Sequence, residues 1–376
     1  MAHGVLKDCR ITGMACAVPR KKQRPEDFTD VVGKDAVEKF IATVGVREGR
    51  ICEGGMMSSD LCCAAADKLF TERGVDRATI DGLIFVSQTP DYVAPSTACV
   101  LQHRLGLSQD CMAFDVNLAC SGYVYGLVNA MAHMQGQGLK KILLLAGDAA
   151  SYHCSPQDRG LMMLSGDAGT ATLIESSSGA PDVNYILNTI GSGFKNLIVP
   201  CGGYKHRFGD QARTEREPGV IRSDYDGYMD GAEVFKFAIM EVPKLFRRFY
   251  ELHGCNETSF DRLFLHQANL FIMKNITKRL KIAPEKMAVS IDRYANTGAA
   301  TIPLTMCDYY SRQPRDGTQR LERAALAGFG IGLSLGVLSL SIDPAVCLPI
   351  FETDLTFDDQ IDSLHQTRRS FVNISD

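Results

Sequence analysis

The sequence predicts an α/β fold built from two similar halves, and three observations support this prediction. Short apolar runs recur along the chain without clean polar alternation, as in strands that helices cover on both faces. Segments with helical periodicity separate these runs, and an order of elements in the first half returns in the second. The length of 376 residues leaves room for two such units.

The predicted strands of the first half are residues 82–88, 111–116, 142–146 and 170–174. Because none of them alternates with polar residues, they indicate a largely parallel sheet between helices. Ser58–Arg73 is predicted to be one of these helices, since Leu61, Ala65 and Leu69 recur at four-residue spacing.

An internal repeat relates the two halves. Residues 83–88 and 263–267 are both apolar runs that end in a polar residue followed by glutamine. The tetrapeptides ACSG at 119–122 and ANTG at 295–298 follow those glutamines at similar distances, 32 and 29 residues to their second positions. This agreement in order and spacing indicates an internal duplication. The predicted division is an N-terminal half, 1–180, a C-terminal half, 181–343, and a tail of unknown role, 344–376.

Composition and charge exclude several classes of function. With 45% apolar residues, 22% charged residues and a net charge of −4, the chain is predicted to be globular and not a nucleic-acid binder. Its thirteen cysteines are scattered, contain no CxxC pair and follow no apolar leader, so they predict neither a disulfide scaffold nor a metal site. We expect a cytoplasmic protein whose thiols are mostly buried hydrophobes.

One uncharged stretch, residues 324–340, is 17 residues long and lies at the lower limit for a membrane span. Its four glycines stand at mostly two-residue spacing, which fits two strands around a tight turn better than a helix. We therefore expect core strands here and no membrane span.

Cys120 is the candidate nucleophile. It ends a strand-like run and precedes a helical run with an apolar face, so unpaired N–H groups and the helix dipole are expected to favour its thiolate. A thiolate can accept an acyl group as a thioester. The alternative is a buried hydrophobe like the other cysteines, and the position of Cys120 in the repeat favours the catalytic interpretation.

His266 and Asn296 are the candidate partners of Cys120. His266 ends an apolar strand at the position that Ser87 takes in the first half, and the carboxyl ends of strands are where α/β sheets place their sites. Asn296 takes the position equivalent to Cys120. Asparagine is also a common helix N-cap, which would suffice to explain it alone.

The segments DVNLACSGYVYGL, HQAN and ANTGAATIPL, at 115–127, 266–269 and 295–304, resemble the active-site blocks of β-ketoacyl-[acyl-carrier-protein] synthase III enzymes. Further similar segments, among them GVREGRI and GFGIGLSLG, extend the resemblance in order from about residue 10 to residue 343. It implies the thiolase-like fold, in which two duplicated α/β halves form αβαβα layers. It also implies an acyltransferase that condenses an acyl primer with a malonyl thioester, with loss of carbon dioxide, to give a β-ketoacyl thioester.

The resemblance assigns a role to each candidate residue. Cys120 matches the acylated nucleophile, while His266 and Asn296 match the neutral donors that stabilise the enolate formed by decarboxylation. The backbone N–H groups of Cys120 and Ile331 match the oxyanion hole of the acyl-transfer steps. Gly330 and Gly332, which flank Ile331, are therefore placed among the substrate-binding residues.

Two departures bear on the substrate. Members of this family that start from acetyl-CoA resemble one another in a tryptophan and an arginine that hold the CoA adenine. This chain has no tryptophan, and Thr43 stands where that arginine is expected. Arg159 does match a second arginine that stacks on the adenine. Acyl-CoA and acyl-carrier-protein donors therefore both stay open as substrates, and no further cofactor is expected. Ala94 replaces a bulky phenylalanine that ends the acyl pocket, so we expect primers of medium or greater length, unless Tyr92 or the tail fills the space.

The expected partners are an acyl carrier protein, acyl-CoA and a second copy of this chain. A homodimer is expected because residues 94–107 resemble the segment that lines the partner's pocket in this family. Lys274 and Lys278 share one helix face that would meet a carrier protein, whereas Phe271 stands where a carrier-contacting arginine is expected. A solvated helix surface is the alternative for these lysines.

Other readings of the same residues predict different functions. A type III polyketide synthase shares the triad but has a proline in the glycine segment that reads GFGIG here, and an ester-forming acyltransferase would not retain Asn296. A papain-like protease has the same residue order but a different segment around cysteine. A non-catalytic partner subunit would lose Cys120. Fatty acid and specialised-metabolite pathways both stay open.

Overall fold

The computed structural model describes residues 2–158, 160–217, 219–313 and 321–361. Its strands are β1 (Ala2–Leu6), β2 (Cys9–Pro19), β3 (Lys22–Gln23), β4 (Gly49–Arg50), β5 (Gly82–Val86), β6 (Met112–Val116), β7 (Lys141–Asp148), β8 (Ala168–Ser176), β9 (Val183–Thr189), β10 (Leu197–Ile198), β11 (Thr214–Glu217), β12 (Val220–Arg222), β13 (Tyr228–Met229), β14 (Arg262–Leu265), β15 (Glu322–Gly330), β16 (Ser334–Ile342) and β17 (Phe351–Thr353). Its helices are α1 (Thr29–Val32), α2 (Lys34–Val44), α3 (Ser58–Arg73), α4 (Thr97–Arg104), α5 (Gly122–Gln137), α6 (Leu161–Leu164), α7 (Gly231–His253), α8 (Leu270–Leu280), α9 (Ile291–Tyr294) and α10 (Thr301–Ser311). The predicted helix Ser58–Arg73 is confirmed as α3.

Two sheets organise the chain. One has six strands in the order β17-β2-β8-β7-β5-β6, and the other has five in the order β1-β9-β16-β15-β14. The prediction of a largely parallel sheet is confirmed for β6, β5 and β7, which pair parallel, whereas β8 pairs antiparallel with both β7 and β2. These strands are apolar because they are buried on both faces, and that burial does not depend on strand direction.

Five layers follow from the way the apolar side chains pack. Residues of α5 and α10 lie between the two sheets, in one core cluster with Ile84 and Leu144 of the first sheet and Leu326 and Leu338 of the second. Helix α3 packs with the opposite face of the first sheet. Helices α7 and α8 pack with the opposite face of the second. This arrangement is the αβαβα layering that the sequence predicts.

The duplication is visible in matched hydrogen bonds at the ends of two strands. The Ser87 N–H, after β5, donates to the Val116 carbonyl, and the His266 N–H, after β14, donates to the Ala327 carbonyl. Each acceptor lies on the neighbouring parallel strand. Helical structure begins at Gly122 and at Gly298, the last residues of the two tetrapeptides. Cys120 and Asn296 therefore occupy equivalent positions at the same edge of their sheets.

The ends of the chain cross between the halves. Strand β1 pairs with β9 in the second sheet, although it comes from the first half. Strand β17 lies in the tail and pairs with β2 in the first sheet. The buried Arg50 side chain forms an ion pair with Glu352 of β17, with 2.7 Å between Nη1 and Oε1. The first part of the tail thus completes the edge of the N-terminal sheet.

The glycine-rich stretch forms a hairpin. Strands β15 and β16 pair antiparallel from Glu322 and Ile342 to Gly330 and Ser334, which confirms the prediction of two core strands around a turn. Within the described residues, no helix has the length and apolar character needed to cross a bilayer.

Candidate active site

Cys120 lies in the turn between β6 and α5, pressed against the end of β15. A side chain at Gly330 would place its Cβ 2.7 Å from Cys120 Sγ, and one at Gly328 would reach within 2.9 Å of the Cys120 carbonyl oxygen. Gly330 also has φ of 158°, a conformation that glycine adopts readily. The glycines therefore let β15 approach Cys120 more closely than residues with side chains would allow. A hydrogen bond of 2.7 Å between the Ser121 and Ser334 hydroxyls fixes the same contact.

Burial opposes the thiolate character predicted for Cys120. Burial raises the pKa of this thiol to about 11, and the charge of Asp148 raises it further. Hydrogen bonds from the backbone N–H groups of Ile331 and Cys120 lower it, but less than burial raises it. Desolvation therefore outweighs these two N–H groups, and the thiol is protonated at neutral pH.

The backbone N–H groups of Ile331 and Cys120 are near enough to the Cys120 sulphur to lower the pKa of this thiol. Two N–H groups fixed beside a nucleophile can also stabilise an oxygen that becomes negatively charged on the carbon under attack. Gly332, which follows Ile331, has φ of 130° in the turn that contains Ile331.

His266 directly follows β14 and is only 2% exposed. Its Nδ1 lies 2.7 Å from the Thr301 hydroxyl, and its ring packs edge-on against Phe329 with 5.6 Å between the centroids. Burial lowers the pKa of the imidazole to about 3. The ring is therefore neutral at pH 7, as the role of an uncharged donor requires.

Asn296 is held by its backbone and its side-chain oxygen. Its N–H donates to the Leu164 carbonyl, and its own carbonyl accepts from Gly166, both at 2.9 Å. The side-chain Oδ1 accepts from the Gly298 N–H at 3.1 Å, which leaves the amide NH₂ group as a donor. The preceding Ala295 has φ of 55°, a strained conformation for alanine of the kind that often accompanies functional sites.

Asp148 is a buried carboxylate that the sequence reasoning missed. It ends β7, is 2% exposed, and accepts hydrogen bonds from the Ser87 hydroxyl and from the Gln88 and Ala299 N–H groups. Burial raises its pKa to about 7 despite these bonds. It links the loop after β5 to the turn after Asn296, across the two halves. His266 is a candidate because it is a polar residue at the end of an apolar strand. Asp148 stands in the same kind of position and could have been predicted in the same way.

The structure does not bring every predicted substrate residue to Cys120. Ala94 is exposed on the loop between β5 and α4, so it closes no pocket within its own chain. Tyr92 on the same loop donates a hydrogen bond from its hydroxyl to Asp359 of the tail. The predicted adenine contact, Arg159, lies outside the described residues.

The predicted docking lysines lie on the molecular surface. Lys274 and Lys278 are exposed on α8. Nearby, the exposed Phe271 stacks on Phe235 of α7, with 5.5 Å between ring centroids and an interplanar angle of 14°. This surface is therefore partly basic and partly aromatic.

Comparisons with known proteins point to one family. The family model described as 3-Oxoacyl-[acyl-carrier-protein (ACP)] synthase III matches residues 114–191, and the model of its C-terminal part matches residues 251–342. The chain is 34% identical over 335 residues to the beta-ketoacyl-[acyl-carrier-protein] synthase III of Symbiobacterium thermophilum, covering 88% of this chain and 97% of that protein. It is 31% identical over 332 residues to the enzyme of the same name from Solibacter usitatus, covering 87% and 97%. The crystal structure of a 3-oxoacyl-(acyl-carrier protein) synthase from Burkholderia xenovorans superposes with a TM-score of 0.86 at 36% identity, over 94% of this chain and 99% of that one.

Proposed function

Because this chain belongs to the 3-oxoacyl-[acyl-carrier-protein] synthase III family of condensing acyltransferases, we propose that Cys120, His266 and Asn296 carry out its decarboxylating Claisen condensation. The product is a 3-oxoacyl thioester, the intermediate from which fatty acid chains are built. The observation that carries this assignment is the close approach of β15 to the Cys120 sulphur at Gly330, directly before Ile331.

In the first half-reaction, Cys120 takes the acyl group from its donor. The sulphur attacks the thioester carbonyl, the new carbon–sulphur bond forms, and the donor thiol leaves with the proton that Cys120 loses. The Ile331 and Cys120 N–H groups stabilise the oxyanion of the tetrahedral intermediate. Since the resting thiol is protonated, acylation is expected to require proton transfer together with attack.

In the second half-reaction, a malonyl thioester loses carbon dioxide. The electrons of the broken carbon–carbon bond form an enolate, whose oxygen accepts hydrogen bonds from the neutral His266 ring and the Asn296 amide. The enolate carbon attacks the acyl carbon on Cys120, a carbon–carbon bond forms, and the sulphur leaves and regains a proton. Decarboxylation generates the carbanion directly, so no carboxylate base is needed.

Two partners complete this proposal. The carrier protein would meet the surface of Lys274, Lys278 and Phe271, where basic side chains attract acidic groups and the aromatic ring supplies apolar contact. The second copy of the chain would pair at β6, an edge strand of the six-stranded sheet whose five residues are all only half-buried. Free acyl-CoA stays open as the primer donor.

A cytoplasmic location is part of the same proposal. The thirteen cysteines form no disulfide with one another, and most of them are buried, among them Cys16 and Cys62. This state suits a reducing compartment.

Intact-mass measurement of acyl adducts tests the nucleophile. Wild-type protein incubated with an acyl thioester should gain one acyl group, and Cys120→Ala should gain none. The exposed Cys99 provides the matched control, since Cys99→Ala should acylate like wild type. An acyl group on the Cys120→Ala variant would contradict the assignment.

A further inference from the structure

The Thr301 hydroxyl lies between the His266 ring and a backbone carbonyl. Its Oγ1 is 2.7 Å from His266 Nδ1 and 3.1 Å from the Gly298 carbonyl oxygen. Thr301 is 1% exposed, so water does not replace either partner. A hydroxyl has one proton to donate, so Thr301 can donate to only one of these two acceptors at a time.

The choice of acceptor decides which nitrogen of His266 carries the proton. A neutral imidazole has one N–H. When Thr301 donates to Gly298, the Nδ1–H of His266 donates to Oγ1 and Nε2 is left as a lone-pair acceptor. When Thr301 donates to Nδ1, the proton of the ring must lie on Nε2.

The Gly298 carbonyl does not need the Thr301 hydroxyl as its hydrogen-bond donor. It already accepts the backbone N–H of Thr301 at the end of the short helical turn Gly298–Ala300. Turning the hydroxyl to His266 therefore leaves no buried acceptor without a partner. Among the described residues, the His266 ring forms a hydrogen bond only with Thr301. Its Nε2 is therefore available for a substrate.

We propose that Thr301 is a positioning residue that holds His266 as the Nε2–H tautomer, the form that can donate to the malonyl thioester oxygen. The inference rests on the function proposed above, because only an Nε2–H can stabilise the enolate. In the other tautomer, the lone pair on Nε2 would repel the enolate oxygen. Thr301 thus controls the decarboxylation half-reaction through His266, without touching the substrate.

The test separates the two half-reactions in Thr301→Val, which removes the hydroxyl at nearly constant volume. Malonyl decarboxylation, followed by carbon dioxide release, should fall roughly 10- to 100-fold, as when one donor to a developing oxyanion is weakened. Acylation of Cys120, followed by intact mass, should change less than about threefold because His266 stabilises only the enolate. Thr301→Ser should restore decarboxylation.

Thr305→Val is the matched control. Thr305 is a buried threonine one turn along α10, and its hydroxyl bonds the Thr301 carbonyl at 2.6 Å and the Ser290 hydroxyl at 2.7 Å instead of His266. Thr305→Val should leave the ratio of the decarboxylation rate to the acylation rate unchanged, even if it lowers the stability of the protein.

Nitrogen-15 NMR of histidine-labelled protein reads the tautomer directly, with His266→Ala identifying the signal. The wild type should show a protonated Nε2, and Thr301→Val should lose that preference. A wild-type Nδ1–H tautomer, or equal losses of both half-reactions in Thr301→Val, would overturn the inference. A wild-type protein that acylates Cys120 but decarboxylates no malonyl thioester would instead overturn the proposed function.

Discussion

Cys120 experiences opposing influences on its proton, and each has a named source. Burial and the charge of Asp148 raise the pKa of the thiol, while two backbone N–H groups lower it. Donors that modestly favour the thiolate are, in the proposed mechanism, the same groups that stabilise the oxyanion of the intermediate. The site is therefore arranged for the reaction and not for a stable free thiolate.

Replacement of Asp148 by asparagine should make Cys120 ionise at lower pH. Asp148→Asn keeps the shape and removes the negative charge, so alkylation of Cys120 by iodoacetamide at pH 8 should become roughly two- to tenfold faster. Because the pKa of Asp148 is itself raised to about 7, its carboxylate is charged above that pH and neutral below it. The difference between variant and wild type should therefore disappear towards pH 6.

The control for this measurement is Asp167→Asn. Asp167 is also buried, but it bonds the Ser151 hydroxyl and the Cys52 N–H. Its removal should leave the alkylation rate of Cys120 at pH 8 in place, because Asp148 stays charged at that pH. An unchanged profile in Asp148→Asn as well would show that this carboxylate does not act on the nucleophile.

The sequence identifies some of these residues and misses others for a physical reason. Cys120, His266 and Asn296 stand at repeated positions, so their chemistry is visible in the order of the chain. Asp148 and Thr301 act through hydrogen bonds to residues that are 151 and 35 positions away. The Asp148 contact exists only once the two halves have packed together, and the Thr301 contact only once the second half has folded.

At the scale of elements, β15 is the strand of the second half that contacts Cys120. Gly330 and Gly328 have no side chains, so the backbone of β15 can lie directly against the turn at Cys120. The sequence predicts a tight hairpin here from glycine spacing. Only the packed structure shows that the absent side chains make room for Cys120.

A methyl group at Gly330 should disable acylation. Gly330→Ala would place a Cβ 2.5 Å from Cys120 Cβ, so the sulphur or the Ile331 N–H must move. Misplacement on the scale of 1 Å is expected to slow acylation by about 100-fold. Rapid-quench acylation followed by mass spectrometry measures this rate.

Gly136→Ala is the matched control for that substitution. Gly136 lies in α5 with open space around its Cα, so a methyl group meets no neighbour. Acylation should be unchanged and the helix stabilised by up to about 1 kcal/mol. Normal acylation by Gly330→Ala would show that the close approach of β15 is not needed.

At the scale of the whole molecule, the tail and the loop that carries Ala94 form one connected surface. Strand β17 joins the first sheet, the ring of Phe357 lies 4.2 Å from the Arg104 guanidinium, and Asp359 accepts from Tyr92. The sequence could not predict this surface, because a short strand and isolated side chains far along the chain carry no periodic signal. The position of the loop depends on residues beyond residue 343.

A second copy of the chain is expected to pair along the exposed edge of β6. Sedimentation velocity at micromolar concentration should therefore give a species of twice the mass of one chain. A single species with the mass of one chain would contradict the dimer, and with it the contribution of Ala94 to a partner's pocket.

Primer length is expected to follow from the small side chain of Ala94. Each additional buried methylene can stabilise the bound thioester by about 0.8 kcal/mol, or roughly fourfold in affinity. An octanoyl donor should therefore outcompete an acetyl donor for Cys120, as measured by the masses of the two adducts. Ala94→Phe should reverse this preference, whereas predominant acetylation of the wild type would contradict it.

The central claim is that Cys120, His266 and Asn296 form a carbon–carbon bond as carbon dioxide leaves. The most direct measurement supplies an acyl primer and a carboxyl-labelled malonyl thioester together, and quantifies the 3-oxoacyl product against released label. Wild type should yield product and carbon dioxide in equal amounts. His266→Ala and Asn296→Ala should lose both while Cys120 still becomes acylated. Carbon dioxide without 3-oxoacyl product, or an ester in its place, would contradict the claim.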